Sequence, residues 1–255
     1  REDQNLDLTV NYYSSVTVSA GGGTPALSLT VGSSARSALY QSGSGTAALV
    51  FRYTVAAGDT DSDGLAVGSP LELNSGTLKD AAGNDAGLTF TVPATTGVLV
   101  DTTAPAVSTI QRQSPSAATT SASSVTFRAT FTESVTGVDT ADFTLTKTST
   151  ADASVSSVSS VSSVSSVASV TGAYDVTVNS VTGAGTLRLD LNSSGTGIAD
   201  TAGNAITSGF TGGQSYTLED DTGTLPFSEN FNGKTTANLT SASWLITGSA
   251  EAVTN

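Results

Sequence analysis

A five-residue motif that occurs twice, about 120 residues apart, is the strongest constraint on this chain of 255 residues. Residues 80–84 read Asp-Ala-Ala-Gly-Asn, and residues 200–204 read Asp-Thr-Ala-Gly-Asn. An aspartate, Asp101 or Asp221, lies 21 residues after the start of each copy and opens a threonine-rich segment that ends in proline. One domain-sized unit used twice is typical of tandem arrays, which serve reach and binding more often than catalysis.

Apolar and polar residues alternate along most of the chain. The clearest runs centre on Leu8 and Phe51 in the first copy and on Phe127, Val176 and Leu189 in the second. An apolar residue at every second position is the pattern of a β-strand with one buried face. Clusters rich in glycine, serine and aspartate separate the runs, as turns do. The sequence therefore predicts an all-β fold of tandem antiparallel β-sandwiches in an extended array, with a partial third β segment.

The domain boundaries follow from the repeat and from the prolines. We expect a first β-sandwich in residues 1–103, a second in residues 104–221 and a tail in residues 222–255. The tail contains Phe227, Phe231 and Trp244, but a segment of its length cannot bury a core alone. It is therefore expected to begin a further β domain or to act as a strand donated to another chain.

The two units are expected to differ at two places. Residues 106–124 precede the alternating run at Val125 and should supply a first strand, whereas only five residues precede Leu6 at the equivalent place in the first unit. The first unit is therefore expected to lack its first strand. The second unit carries an insertion, residues 154–170, with valine at every third position. This period matches neither a strand nor an α-helix, so we predict an extended loop or an edge strand.

Charge and composition argue against several classes of function. The chain has 22 acidic and 9 basic residues, a formal net charge of −13, and no cysteine, histidine or methionine. We expect no nucleic-acid partner, because the chain lacks the basic surface that phosphates need. Without histidine or cysteine most nucleophile–base pairs are absent, so the chain is not expected to be an enzyme.

The same composition bears on location. No apolar run approaches the ~20 residues that span a bilayer, so no direct membrane insertion is expected. The lack of cysteine fits a secreted bacterial protein, and we expect an extracellular location or a bacterial cell surface. Because methionine is absent, Arg1 is expected to follow a removed or excised segment.

One acidic segment has the spacing of a calcium-binding loop. Ca²⁺ takes oxygen ligands from carboxylates, amides and carbonyls, and it is the expected cofactor. Asp59, Asp61 and Asp63, followed by Gly64, match the first half of such a loop. Pro70 stands where the closing glutamate belongs, so a polar hairpin turn is the alternative.

A second cation site is expected at the ends of the units, where uncompensated carboxylates repel one another unless a cation joins them. The residues expected to meet there are Asp80 with Asp101, and Asp200 with Asp220, Asp221 and Glu133. The alternative is a local turn at each motif, in which aspartate and asparagine side chains bond nearby backbone N–H groups. That alternative is favoured for Asn84 and Asn204.

Longer segments carry a resemblance to a known family. They are residues 11–18, 23–29, 42–46, 51–55, 57–64, 78–84 and 98–105 in the first unit, and 131–137, 141–143, 185–191, 197–204 and 210–217 in the second. Over residues 5–221 the chain resembles the bacterial Ig-like repeats of large cell-surface and type-I-secreted, RTX-like adhesins. The resemblance implies tandem Ig-like sandwiches in an extended extracellular stalk, often stiffened by Ca²⁺ near the linkers. Ser14 departs from the pattern, because the matching residue of the second unit is Glu133.

Three functions are consistent with these features. The first is a non-enzymatic structural module of a bacterial surface adhesin, a stalk repeat stiffened by Ca²⁺ whose partners are neighbouring repeats of the same protein. The second is a filament subunit, a homo-polymer joined by β-strand exchange between chains. The third is a carbohydrate-binding or receptor-binding module, since the tail weakly resembles the first strands of a jelly-roll carbohydrate-binding or laminin-G-like domain.

Overall fold

The computed structural model describes residues 1–161 and 172–219. It is 53% strand with no α-helix, which confirms the all-β prediction. One hydrophobic core is built from residues between Val10 and Val100, and another from residues between Ile110 and Leu218. Both cores belong to one compact part of the chain, Arg1–Glu219. The predicted tail, 222–255, lies outside the described residues. In the described ranges no helix is long and apolar enough to cross a membrane.

The first unit consists of eight strands: β1 (Asn5–Ser19), β2 (Ala26–Val31), β3 (Ser34–Ser42), β4 (Thr46–Thr54), β5 (Thr60–Asp61), β6 (Ala66–Val67), β7 (Thr77–Asp80) and β8 (Val100–Asp101). The larger sheet has the order β6-β2-β3-β4-β1-β7, and β5 pairs with β8. All of these pairs are antiparallel. The register between β1 and β4 shifts between Asn11 and Val16. On the other side of β1, Val16 to Ser19 pair with β7.

The core of the first unit follows the period-two pattern of the sequence. Leu49 and Phe51 of β4 are fully buried and Tyr53 is 4% exposed, whereas the intervening Val50 and Arg52 are half-buried. Residues at alternate positions of a strand point to the same face, so β4 presents one apolar row to the core.

The described residues of the second unit form ten strands and a 3₁₀-helix: β9 (Val107–Ser114), β10 (Thr119–Thr120), β11 (Ser124–Phe131), β12 (Val135–Thr136), the helix Thr140–Asp142, β13 (Phe143–Lys147), β14 (Asp152–Ser160), β15 (Ala173–Thr182), β16 (Gly185–Leu191), β17 (Ala199–Asp200) and β18 (Ser215–Leu218). Two four-stranded sheets have the orders β14-β15-β11-β9 and β10-β18-β16-β13, and β12 pairs with β17. The pair β10 and β18 is parallel; the other pairs are antiparallel.

The two four-stranded sheets share one core. Phe127 of β11 and Tyr216 of β18 are both fully buried, with ring centroids 5.1 Å apart in an edge-to-face arrangement. Aromatic pairs prefer this geometry because the positive ring edge meets the negative face. The Tyr216 hydroxyl donates to the carbonyl oxygen of Pro115 at 2.6 Å, so its buried polar end is satisfied.

The start of the valine insertion lies on an edge strand. Residues 154–160 belong to β14, the outermost strand of its sheet, and pair with β15. Val155 lies opposite Val178 and Val158 lies opposite Val176, so three steps along β14 match two steps along β15. A bulge between Val155 and Ser157 absorbs the extra residue, and both β14 valines pack against the core. A period of three thus fits a strand that bulges; residues 162–170 lie outside the described residues.

Candidate metal centre between the two units

Three carboxylates converge where the first unit ends and the second begins. One oxygen each from Asp101, Glu133 and Asp200 lies within 4.8 Å of the others. In residues 1–161 and 172–219, no other group of three or more aspartate, glutamate, histidine or cysteine side chains lies close enough together to hold a metal ion. Asp101 is half-buried, Glu133 is half-buried and Asp200 is 4% exposed. The cluster therefore combines one residue of the first unit with two of the second.

Strand pairing places each member. Asp101 is the last residue of β8, whose pairing with β5 fixes the exit of the first unit. Asp200 is the last residue of β17, and Val135 of β12 lies opposite it. Glu133 lies two residues before Val135, in the turn that connects β11 to β12, so the short β12–β17 pair brings Glu133 and Asp200 together.

Asn204 links the second repeated motif to the first unit. Its backbone N–H donates to Asp200 Oδ1 at 2.8 Å, and its side-chain amide donates to Asp200 Oδ2 at 2.7 Å. The same amide nitrogen donates to the carbonyl oxygen of Asp101 at 3.0 Å. Arg1 adds a second link, since its Nη1 donates to the carbonyl oxygen of Gly203 at 3.1 Å. The sequence suggested a local turn for Asn204 and did not indicate these links.

The Asp80 and Asn84 side chains of the first copy bond only within their own turn. Asp80 Oδ1 accepts from the N–H groups of Ala82 and Asn84, both at 2.9 Å, and Asp80 Oδ2 accepts from the Asn84 side chain at 2.9 Å. These contacts are those of the Asx-type turn. Asp80 is not in the carboxylate cluster, and Asp101 meets Asp200 instead.

Electrostatic repulsion is concentrated on Glu133. Burial raises the pKa of the Glu133 carboxyl, and the charges of Asp101 and Asp200 raise this pKa further. Among the described residues none of the three carboxylates forms a salt bridge. Asp101 Oδ1 accepts one hydrogen bond, from the N–H of Thr103 at 2.8 Å. Like charges that cannot separate favour either protonation or a bound cation.

The geometry suits a hard divalent cation. Ca²⁺ binds oxygen atoms at about 2.4 Å, so two ligands on opposite sides of the ion lie about 4.8 Å apart. The oxygens of Asp101, Glu133 and Asp200 fall within this limit. Carboxylate oxygens are the ligands that Ca²⁺ prefers, and the chain has no cysteine or histidine to favour a softer metal.

The carboxylates of the predicted calcium-binding loop contact protein donors. Asp59 accepts from Arg36 Nε at 2.9 Å and Nη2 at 2.6 Å, and also from the Tyr53 hydroxyl. Asp61 accepts from the N–H groups of Gly32 at 2.6 Å and Gly64 at 2.7 Å. The hydrogen bond from Gly32 lowers the pKa of Asp61 most, and the bond from Gly64 lowers it further. Together they outweigh burial, which acts to raise this pKa. The contacts favour the hairpin-turn alternative for this segment.

The remaining predicted ligands have separate positions. Asp63 is exposed in the loop after β5, and its side chain joins no group of three. Asp220 and Asp221 lie outside the described residues. Of the carboxylates predicted from the sequence, the structure thus brings together Asp101, Glu133 and Asp200.

The fold and the cluster define a class: an all-β chain of tandem units with an acidic junction. In comparisons with known proteins, no family model, no curated protein and no solved structure matches the chain.

Proposed function

We propose that the chain is a non-enzymatic structural module of an extracellular bacterial surface protein, a stalk segment whose junction is stiffened by Ca²⁺. The observation that carries the proposal is the convergence of Asp101, Glu133 and Asp200 from both units within 4.8 Å. A cation held by all three would bind the first unit to the second. Loss of the cation would restore the repulsion between the carboxylates and loosen the junction.

The hydrogen bonds at the junction support this role. Asn204 and Arg1 already connect the two units through backbone carbonyls of Asp101 and Gly203. These bonds hold the second motif close to Asp101, so the carboxylates remain near one another without a cation. A preorganised site loses less conformational entropy on binding than a flexible one. We therefore expect Ca²⁺ to rigidify an existing arrangement rather than to create one.

The proposed location and partners rest on the sequence. The resemblance to bacterial Ig-like repeats of adhesins supports an array in which neighbouring repeats of the same protein are the first partners. The net charge of −13 and the absence of cysteine are compatible with a soluble extracellular stalk. A glycan or cell-surface receptor would then be bound by another part of such an array.

Small-angle X-ray scattering and calorimetry of the full chain test the proposal together. In EGTA we expect a broader distribution of particle dimensions than in Ca²⁺, and calorimetric titration should show saturable Ca²⁺ binding. Glu133→Gln removes one charge from the cluster and should weaken both effects. Glu72→Gln, at an exposed glutamate of the first unit, is the matched control. Identical scattering in EGTA and in Ca²⁺, with no binding heat, would refute the calcium-stiffened junction.

A further inference from the structure

The segment that connects the two units is hydrogen-bonded to both of them. Residues 102–106 run from the end of β8 at Asp101 to the start of β9 at Val107. A flexible linker samples many end-to-end distances, because its backbone dihedrals are free to vary. In this linker Pro105 is buried, and its ring fixes one φ angle. The first and last residues of the linker are also bonded to the units beside them, so it is restrained at both ends.

Thr102 bonds the linker to the first unit. Its Oγ1 accepts from the N–H of Gly58 at 3.1 Å and donates to the carbonyl oxygen of Asp59 at 3.0 Å. Both partners lie in the turn between β4 and β5, and Asp101 itself pairs with Thr60 of β5. One hydroxyl is therefore acceptor and donor at once, and it extends the β5–β8 contact by one residue into the linker.

The turn that receives Thr102 is fixed within the first unit. The Asp59 side chain is fully buried, and it accepts from Arg36 Nε at 2.9 Å and from the N–H of Ala56 at 3.0 Å. Arg36 lies on β3, so this contact ties the turn to the larger sheet. Moving the turn would leave a buried carboxylate without its donors, which is strongly destabilising. Thr102 is thus bonded to a rigid part of the first unit.

Thr132 bonds the linker to the second unit. The N–H of Ala106 donates to Thr132 Oγ1 at 3.0 Å, and the N–H of Thr132 donates to the carbonyl oxygen of Ala106 at 2.8 Å. Thr132 directly follows Phe131, the last residue of β11. Both backbone polar groups of Ala106 are therefore satisfied by one residue of the second unit.

We propose that the hydroxyls of Thr102 and Thr132 are latches that fix the direction in which the second unit leaves the first. They act through neutral hydrogen bonds, whereas the carboxylate cluster acts through charge. The latches therefore hold the junction whether or not a cation is bound, and they limit how far it loosens in EGTA. The inference does not rest on the proposed calcium site, and the two contributions separate when calcium is removed.

Pulsed electron–electron double resonance of the full chain in EGTA measures the effect. The chain has no cysteine, so spin labels attach only at the introduced pair Thr30→Cys and Thr217→Cys. Both positions are exposed and lie on strands that are paired on both sides. The labels therefore report movement between the units rather than local motion.

Substitution of each threonine by valine tests the latches, because valine lacks the hydroxyl and keeps the branched shape of the side chain. In EGTA we expect Thr102→Val to broaden the distance distribution, and Thr132→Val to do the same. Thr103→Val is the matched control, since Thr103 is exposed in the same linker and its bond to Asp101 uses the backbone N–H, which valine retains. Thr102→Ser keeps a hydroxyl and should keep the narrow distribution.

Amide hydrogen exchange of the wild-type chain gives a check that needs no substitution. The N–H groups of Gly58 and Ala106 should exchange slowly in EGTA. In Thr102→Val that of Gly58 should exchange about tenfold faster, because it has lost its acceptor. Rapid exchange of both groups in the wild type, or a Thr102→Val distribution no broader than that of Thr103→Val, would overturn the proposal. Absence of calcium binding with these effects intact would count against the calcium-stiffened junction and still support the latches.

Discussion

The side-chain amide of Asn204 donates to the backbone carbonyl of Asp101 at 3.0 Å, so a residue of the second unit holds the last strand of the first. The equivalent Asn84 reaches only the Asp80 carboxylate of its own turn. One motif therefore has two roles: it closes a turn in both units, and in the second copy it also joins the units.

Asn204→Ala tests the joining role. The substitution removes hydrogen bonds to Asp101 and to the buried Asp200, so we expect a loss of about 1–3 kcal/mol in the free energy of unfolding. It should also broaden the distances between units measured by small-angle scattering. Asn84→Ala removes only the bond to Asp80 and should leave those distances unchanged. Equal scattering changes in both variants would show that Asn204 is not a special contact.

Calcium should raise the melting temperature of the transition that involves the junction. A ligand at 100 times its Kd stabilises the folded state by about 2.7 kcal/mol, or about 5–10 °C for a chain of this size. Differential scanning calorimetry in EGTA and in Ca²⁺ measures the shift. Glu133→Gln should reduce it, whereas Glu72→Gln should not. A shift that survives Glu133→Gln unchanged would assign the stabilisation to another site.

The Arg36–Asp59 pair should matter far more than the Arg52–Asp7 pair. Both aspartates accept two bonds from an arginine, but the Asp59 side chain is fully buried whereas that of Asp7 is 43% exposed. Asp59→Ala leaves the Arg36 guanidinium and the Tyr53 hydroxyl without their acceptor. We expect it to lower the free energy of unfolding by about 3 kcal/mol. Asp7→Ala should cost much less, because water screens an exposed pair. Urea denaturation of both variants checks the order, and equal losses would contradict the burial argument.

Asp61 should make the first unit sensitive to acid. Hydrogen bonds from Gly32 and Gly64 lower its pKa in the folded state, so folding favours the ionised carboxylate. The resulting stability is fully present above the unfolded pKa of about 3.9 and is lost as pH falls through the lower folded pKa. Denaturation between pH 7 and pH 2.5 should show the difference between wild type and Asp61→Asn narrowing below about pH 4. Glu72→Gln, at an exposed position away from Asp61, should track the wild type.

The alternating runs at Phe51 and Phe127 were sufficient to predict the strands, because burial on one face of a strand imposes a period of two. The valine insertion was predicted as an extended loop or an edge strand, and its described start lies on the edge strand β14. The bulge between Val155 and Ser157 was not predicted, because it depends on the pairing with β15. A bulge allows three residues to span two, and no local pattern indicates where the partner permits it.

The sequence by itself determined the fold class, the two units and the acidic residues from which any cation site must be drawn. Only the tertiary structure decided which of those residues meet. Asp59 and Asp61 have the spacing of a calcium-binding loop. Their carboxylates instead accept hydrogen bonds from Arg36 and Gly32, which are distant in sequence. Asp101, Glu133 and Asp200 show no common spacing, yet strand pairing assembles them. Ligation depends on distances in space, and those distances are set by sheet register across separate strands.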